Sequence, residues 1–159
     1  MTTLDSTLVS NFEATPTVMT DASLLTGVTR IAQGTLELAA GDSTDNDIVM
    51  LAPIPTDASI TSLKIASDTF GGSCTFNVGL YTSAGVVKDE DCFATAVADA
   101  GAMADVRFEA ADINTCGQKV YTIAGDSTDP GGYYYVAATM AAAGGTLGTM
   151  SFIIEYVVN

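Results

Sequence analysis

The chain has 159 residues, 48% hydrophobic and only 15% charged, and 19 acidic against 5 basic residues give it a formal charge of -14. A chain of this size fits one domain that buries about 70% of its unfolded surface, and the apolar surplus points to contacts with other subunits. Its basic residues, Arg30, Lys64, Lys88, Arg107 and Lys119, are scattered singly, which argues against a nucleic-acid backbone or an anionic membrane as partner.

Residues 1–27, MTTLDSTLVSNFEATPTVMTDASLLTG, are rich in Thr, Ser and Ala, with isolated apolar residues and no sustained period. They read as an extended N-terminal arm ahead of a folded domain spanning 28–159. The arm is either a free tail or a segment ordered on a partner's surface, with Leu4, Leu8, Phe12 and Val18 as spaced anchors. It lacks the basic start and apolar core of a signal peptide, and no apolar run reaches the roughly 20 residues of a membrane span. A soluble protein made in a cytoplasm is therefore expected.

Thr29–Leu38 alternates as a strand, and GDSTDND at 41–47 supplies turn residues. A nearly continuous apolar strand follows at 47–54, which Pro53 and Pro55 are expected to end because neither can donate to a ladder. The clearest pattern lies at 54–81. Ile60, Leu63 and Ile65 mark one arm and Cys74, Phe76, Val78 and Leu80 the other, and Gly71-Gly72 offers the positive φ that would close them into a hairpin. Beyond it the alternation breaks. Phe93, Ala94, Ala96, Val97 and Ala100 suit a short helix ending near Gly101, with Asp89, Glu90 and Asp91 favouring its N-terminal dipole; strand and loop is the alternative.

Short strands are expected at 106–110 and 118–124, and a longer one at 133–140, where Tyr133 and Tyr135 point one way and Tyr134 the other. GDSTD recurs at 41–45 and 125–129, but the flanking residues do not match, so shared turn chemistry explains it better than duplication. In the last strand Phe152, Ile154, Tyr156 and Val158 face one side, while Ile153 and Val157 flank Glu155 on the other. A strand apolar on both sides belongs in the middle of a sheet. The sum is an all-β protein, an antiparallel β-sandwich with a jelly roll as the favoured topology and one short helical insertion; a sandwich of another topology is the alternative.

The chain has no His, which excludes Ser/His/Asp and Cys/His catalysis, and no nucleotide, nucleophile-elbow or zinc-protease motif. Asp89, Glu90, Asp91 and Asp105 leave carboxylates for a glycosidase, but with no Trp as a sugar platform no enzyme is expected. No cofactor and no metal site is expected either. The turns carrying Asp42, Asp45 and Asp47 or Asp126 and Asp129 read as solvated, since they lack the spacing of a calcium loop. Cys74, Cys92 and Cys116 read as free thiols, with a Cys92–Cys116 disulfide as the alternative.

The run DIVMLAPIPTDASITSLKIASD, followed by CTFNVGLYTSAGVVKDEDCFATAVA, resembles capsid decoration, or cement, proteins of tailed bacteriophages. The shared layout is a strand, a proline-bounded loop, an "I..L.I..D" strand, a glycine turn, a "T.NVGLY" strand and an acidic, alanine-rich segment. It spans about 29–159. The resemblance implies a β-sandwich or jelly roll on the outer surface of a virion, commonly a homotrimer, with the major capsid protein as partner. It carries over no binding residue, so Leu4, Leu8, Phe12, Val18, Tyr133 and Tyr135 stand as capsid or subunit contacts on the residue reading alone. A phage tail or receptor-binding module is the alternative within the same fold.

Overall fold

Runs of β-branched and aromatic residues become strands where neighbouring strands can cover one face of them. The computed structural model describes residues 6–109 and 113–158, and in these the strands are β1 (Thr29–Leu38), β2 (Ile48–Pro55), β3 (Ser59–Ser67), β4 (Thr75–Tyr81), β5 (Val87–Ala98), β6 (Ala104–Asp105), β7 (Tyr133–Ala142) and β8 (Gly148–Val157). They form two four-stranded sheets, ordered β1-β8-β3-β6 and β2-β7-β4-β5. Each strand of the first half pairs antiparallel with its mirror in the second: β4 with β5, β3 with β6, β2 with β7, β1 with β8. The chain is thus one long hairpin, rolled so that its arms divide between two sheets, and that is a jelly roll. Its apex is the β4–β5 turn, where the Thr82 amide donates to the Val86 carbonyl (2.9 Å) and Gly85 takes φ +73°.

The core lies between the sheets. Ile60, Leu63 and Ile65 from β3 and Met150, Phe152 and Ile154 from β8 meet Phe76, Val78 and Leu80 from β4 and Val136, Ala138 and Met140 from β7 in one buried cluster. β8 is central, paired with β1 on one side and β3 on the other, as its doubly apolar pattern required. A polar group reaches the interior as well. Arg107 is 1% exposed, donating from Nε to the Ile60 carbonyl (3.1 Å) and from Nη1 and Nη2 to Thr115 Oγ1 and O (3.0 and 3.2 Å), with its guanidinium against the rings of Phe93 and Phe108.

Five local expectations are corrected. The short strand expected at 106–110 is not found over the described residues 106–109, where the chain turns after β6. β3 and β4 are not a hairpin, because they lie in different sheets; Gly71 and Gly72 do take positive φ, but the loop crosses the sandwich and sinks Phe70 into the core. Both strands point alternate residues at the same core, so their sequence pattern is that of a hairpin. Pro53 lies within β2, which an edge strand allows because a missing donor can face outward, and the strand runs on to end at Pro55. The stretch expected as a helix is β5: its register breaks repeatedly against β4, so Cys92, Phe93 and Ala94 are buried in succession and the alternation is lost. The helical turn falls instead on α3 (Val120–Ile123), expected as a strand, where Val120 and Ile123 bury one face three residues apart.

The arm also departs from expectation. It is helical in α1 (Thr7–Glu13) rather than extended throughout, with Ser6 as N-cap accepting from the Val9 amide (3.4 Å), and a second short helix, α2 (Ala22–Leu25), precedes β1. The cysteines are free, Cys74 and Cys92 buried and Cys116 exposed, and burial pushes the Cys92 thiol far above its ordinary value.

The irregular β5 passes so close to β4 that Gly79 has no room for a side chain. A Cβ there would stand 2.1 Å from the Asp89 carbonyl oxygen and 2.3 Å from the Glu90 carbonyl carbon, both fixed backbone atoms. Asn77 holds this bulged path, its Nδ2 donating to Glu90 Oε1 (2.8 Å) and its Oδ1 accepting the Ala96 amide (2.9 Å) at φ +51°. Gly79→Ala is expected to destabilise the fold by about 3 kcal/mol, since overpacking against backbone cannot relax by a rotamer change. Denaturant unfolding measures this, and Asn77→Ala should shift the midpoint in the same direction by less.

Candidate interaction surface

Segment 6–28 brings apolar side chains to the surface and reaches the sandwich near Gly117. The Val18 amide donates to the Asn11 carbonyl (3.0 Å), turning the chain back along α1, and Leu24 lies over Gly117, where a Cβ would come within 2.5 Å of Leu24 Cδ2. Lys119 and Asp21 approach to 4.0 Å beside this contact, and the Gly117 carbonyl accepts Ser59 Oγ at the start of β3. The arm therefore docks at the end of the sandwich where β2 passes into β3.

Of the expected contact residues, Leu4 lies outside the described residues. Leu8 is half-buried, whereas Phe12 (73% exposed) and Val18 stand open to solvent. Phe12 and Val18 share a concavity of about 260 Å³ with Met19 and Leu25, and its lining is entirely arm. Tyr133 (61% exposed) and the half-buried Tyr135 belong to a separate surface, the face of β7 beside Pro55 and Pro53 of β2, so the two sets are not brought together. Met19 (91% exposed) and Val28 (76% exposed) extend the arm's apolar surface and were not among the expected contacts. Their signal was plain in the sequence, as large apolar residues in a polar segment, but selection by spacing passed over them.

Between the tyrosines, Tyr134 turns inward and closes a polar clamp. Its hydroxyl donates to Asp126 Oδ2, Lys88 Nζ donates to Asp126 Oδ1 (2.8 Å), and the ammonium lies 5.2 Å from the Tyr134 ring centre. The Lys88 ammonium and the Tyr134 hydroxyl hold the Asp126 carboxyl below its ordinary value, and the Asp126 hydrogen bond in turn holds Lys88 and Tyr134 above theirs. Burial pushes the Asp105 carboxyl up, but hydrogen bonds from Ser62 Oγ, the Arg107 amide and the Leu63 amide outweigh it and leave the group lowered. Asp129 is lowered by Thr56 Oγ1 and the Gly131 amide. These carboxylates are occupied in tying loops to strands. Among the described residues no three His, Cys, Asp or Glu side chains gather as metal ligands.

No family model and no curated protein matches this chain. Among solved structures it is similar to a chain of the cyanophage Pam1 capsid asymmetric unit, at 15% identity and a TM-score of 0.52, covering 84% of this chain and 86% of that one. The likeness is one of fold. Weaker likenesses are to a chain of the acid-stable capsid of Helicobacter pylori bacteriophage KHP30 (12% identity, TM-score 0.44, 82% and 88% covered) and to one of the capsid of Ralstonia phage GP4 (16%, 0.43, 82% and 85%).

The clamp fixes the sign of a pH dependence. Lowered carboxylates stabilise fully above their unfolded value and lose that contribution as pH falls, whereas raised Lys88 and Tyr134 stabilise fully below theirs and lose it as pH rises. The thermal midpoint should be flat between about pH 4 and pH 10 as far as these groups govern it, and fall on either side. Asp126→Asn should lower the plateau and shallow both flanks, measured as midpoint against pH.

Proposed function

We propose that the chain is a structural virion protein that decorates the outer surface of a bacteriophage capsid and stabilises it by bridging neighbouring capsid subunits, assembled as a homotrimer and involving no catalysis. The observation that carries this reading is the jelly roll, matched along most of its length to a chain from a phage capsid asymmetric unit. The exposed apolar arm and the net charge of -14 support it, the first as contact surface and the second as what keeps such a surface soluble before assembly. The bridging partner is the major capsid protein, with Phe12, Val18 and Met19 of the arm as contacts. Burying each such side chain is worth about 1.5–3 kcal/mol, enough for a few to offset the ordering of a short segment.

Mass analysis of purified particles tests the role, with hundreds of copies per particle expected and a handful pointing to a tail or receptor-binding module instead. Light scattering of the released protein should give three times the chain mass; a stable monomer would remove the trimer from the reading. Deleting residues 1–27 should leave the thermal midpoint nearly unchanged, because the core draws nothing from the described part of that segment. Attachment to shells should weaken by roughly tenfold or more. Full occupancy at equal affinity would move the attachment to the sandwich loops.

A further inference from the structure

A sheet edge presents unpaired amides and carbonyls, and folded proteins usually blunt it. Three of the four edges here are blunted. β2 carries Pro53 and Pro55 and a break in register between Met50 and Ala52. β5 is irregular along its pairing with β4, bears Asp89, Glu90 and Asp91, and has its Thr95 amide taken by Glu109 Oε2 (2.8 Å). β6 is two residues long.

β1 has neither proline nor a break in register, and its two charged residues, Arg30 and Glu37, are of opposite sign and lie near its two ends. It runs ten residues in unbroken register with β8, and among the described residues no strand pairs with its other side. Beside it, between the edges of the two sheets, lies a groove of about 320 Å³ lined by Leu36 and Leu38 of β1 and Ile48 and Val49 of β2, together with Asp42 and Asp47 from the connecting turn. Asp42 Oδ2 accepts the Ala39 amide and Asp47 Oδ2 accepts the Thr44 amide (2.9 and 2.8 Å), so one oxygen of each carboxylate is engaged in shaping the turn and the charge remains.

We propose that the free edge of β1 and this groove form a docking site for an extended segment of a different polypeptide, with apolar and basic residues alternating. Added as a further strand, such a segment would bond its backbone to β1 and send every second side chain into the groove. The carboxylates favour a cationic segment, and a second copy of this chain, itself at -14, is disfavoured. The site stands apart from the arm surface and does not depend on the capsid reading.

The test uses the full chain and a capped decapeptide alternating valine and lysine, with a decapeptide of the same composition arranged in two blocks as control. Expected are saturable binding of the alternating peptide, about tenfold or more tighter than the block peptide, and slowed amide exchange at alternate residues of β1 but not of β2 or β5. Asp42→Asn with Asp47→Asn keeps the turn's acceptor oxygens and should weaken binding about tenfold, with the alternating peptide still preferred. Equal affinity for the two peptides, exchange slowed at another edge, or a β1-paired dimer that the peptide does not disperse would overturn the proposal.

Discussion

The insertion of β8 between β1 and β3 is the constraint from which the rest of the molecule follows. β1 and β3 do not pair with each other, so β1 joins the rest of the first sheet only through the two ladders that β8 offers. Met150, Phe152 and Ile154 then supply the middle of that sheet's inner face, against which β4 and β7 of the second sheet close. Contacts of such long sequence separation favour slow, cooperative folding over stepwise assembly from local hairpins. Among the described residues the one hairpin of consecutive strands, β4–β5, is also the most irregular, and it holds its path through Asn77 and the side-chain-free Gly79.

How much the sequence disclosed depends on whether the local pattern has one structural meaning. Thr29–Leu38 alternates well enough to be read as a strand, despite Arg30 and Ile31, and is β1 to the residue, and the two apolar sides of 152–158 correctly placed that strand inside a sheet. The 54–81 stretch was readable as two strands facing one core, yet period two is the same whether those strands neighbour in a sheet or oppose across a sandwich. At β5 the information was overwritten, since each bulge advances the pattern by one residue and three successive inward positions imitate a helix. Val120 and Ile123 misled in the opposite sense, as β-branched residues placed in a turn of helix by the Val120 amide bonding Ala58 and the Ile123 amide bonding Lys119. Of the contact residues, the exposure of Phe12 and Val18 was legible from composition. The open edge of β1 was not, because it depends on which strand the fold leaves outermost.

Charge is used sparingly and locally. Arg107 was one of a few scattered cations in the sequence, yet it is spent inside, joining Ile60 of β3 to Thr115 while two aromatic rings cover its faces. A guanidinium suits this position because its planar fork reaches several acceptors while its faces stack. Lys88 is likewise committed, to Asp126. The acidic surplus is thereby left nearly unopposed on the outside, which keeps neighbouring copies apart in free solution and makes any close association depend on apolar contact or on a cationic partner.

The pairing of β1 with β8 also bears on biosynthesis. Their paired residues lie more than a hundred positions apart, as with Thr35 and Ser151, whose hydroxyls meet at 2.9 Å. At roughly 5–20 residues per second on a ribosome, β1 leaves the exit tunnel many seconds before its partner exists. Through that interval the strand has two bare edges, and the first sheet stays incomplete until β8 is available. The fold is therefore settled only after β8 has emerged, and until then repulsion among the excess carboxylates opposes the joining of strands from neighbouring nascent chains.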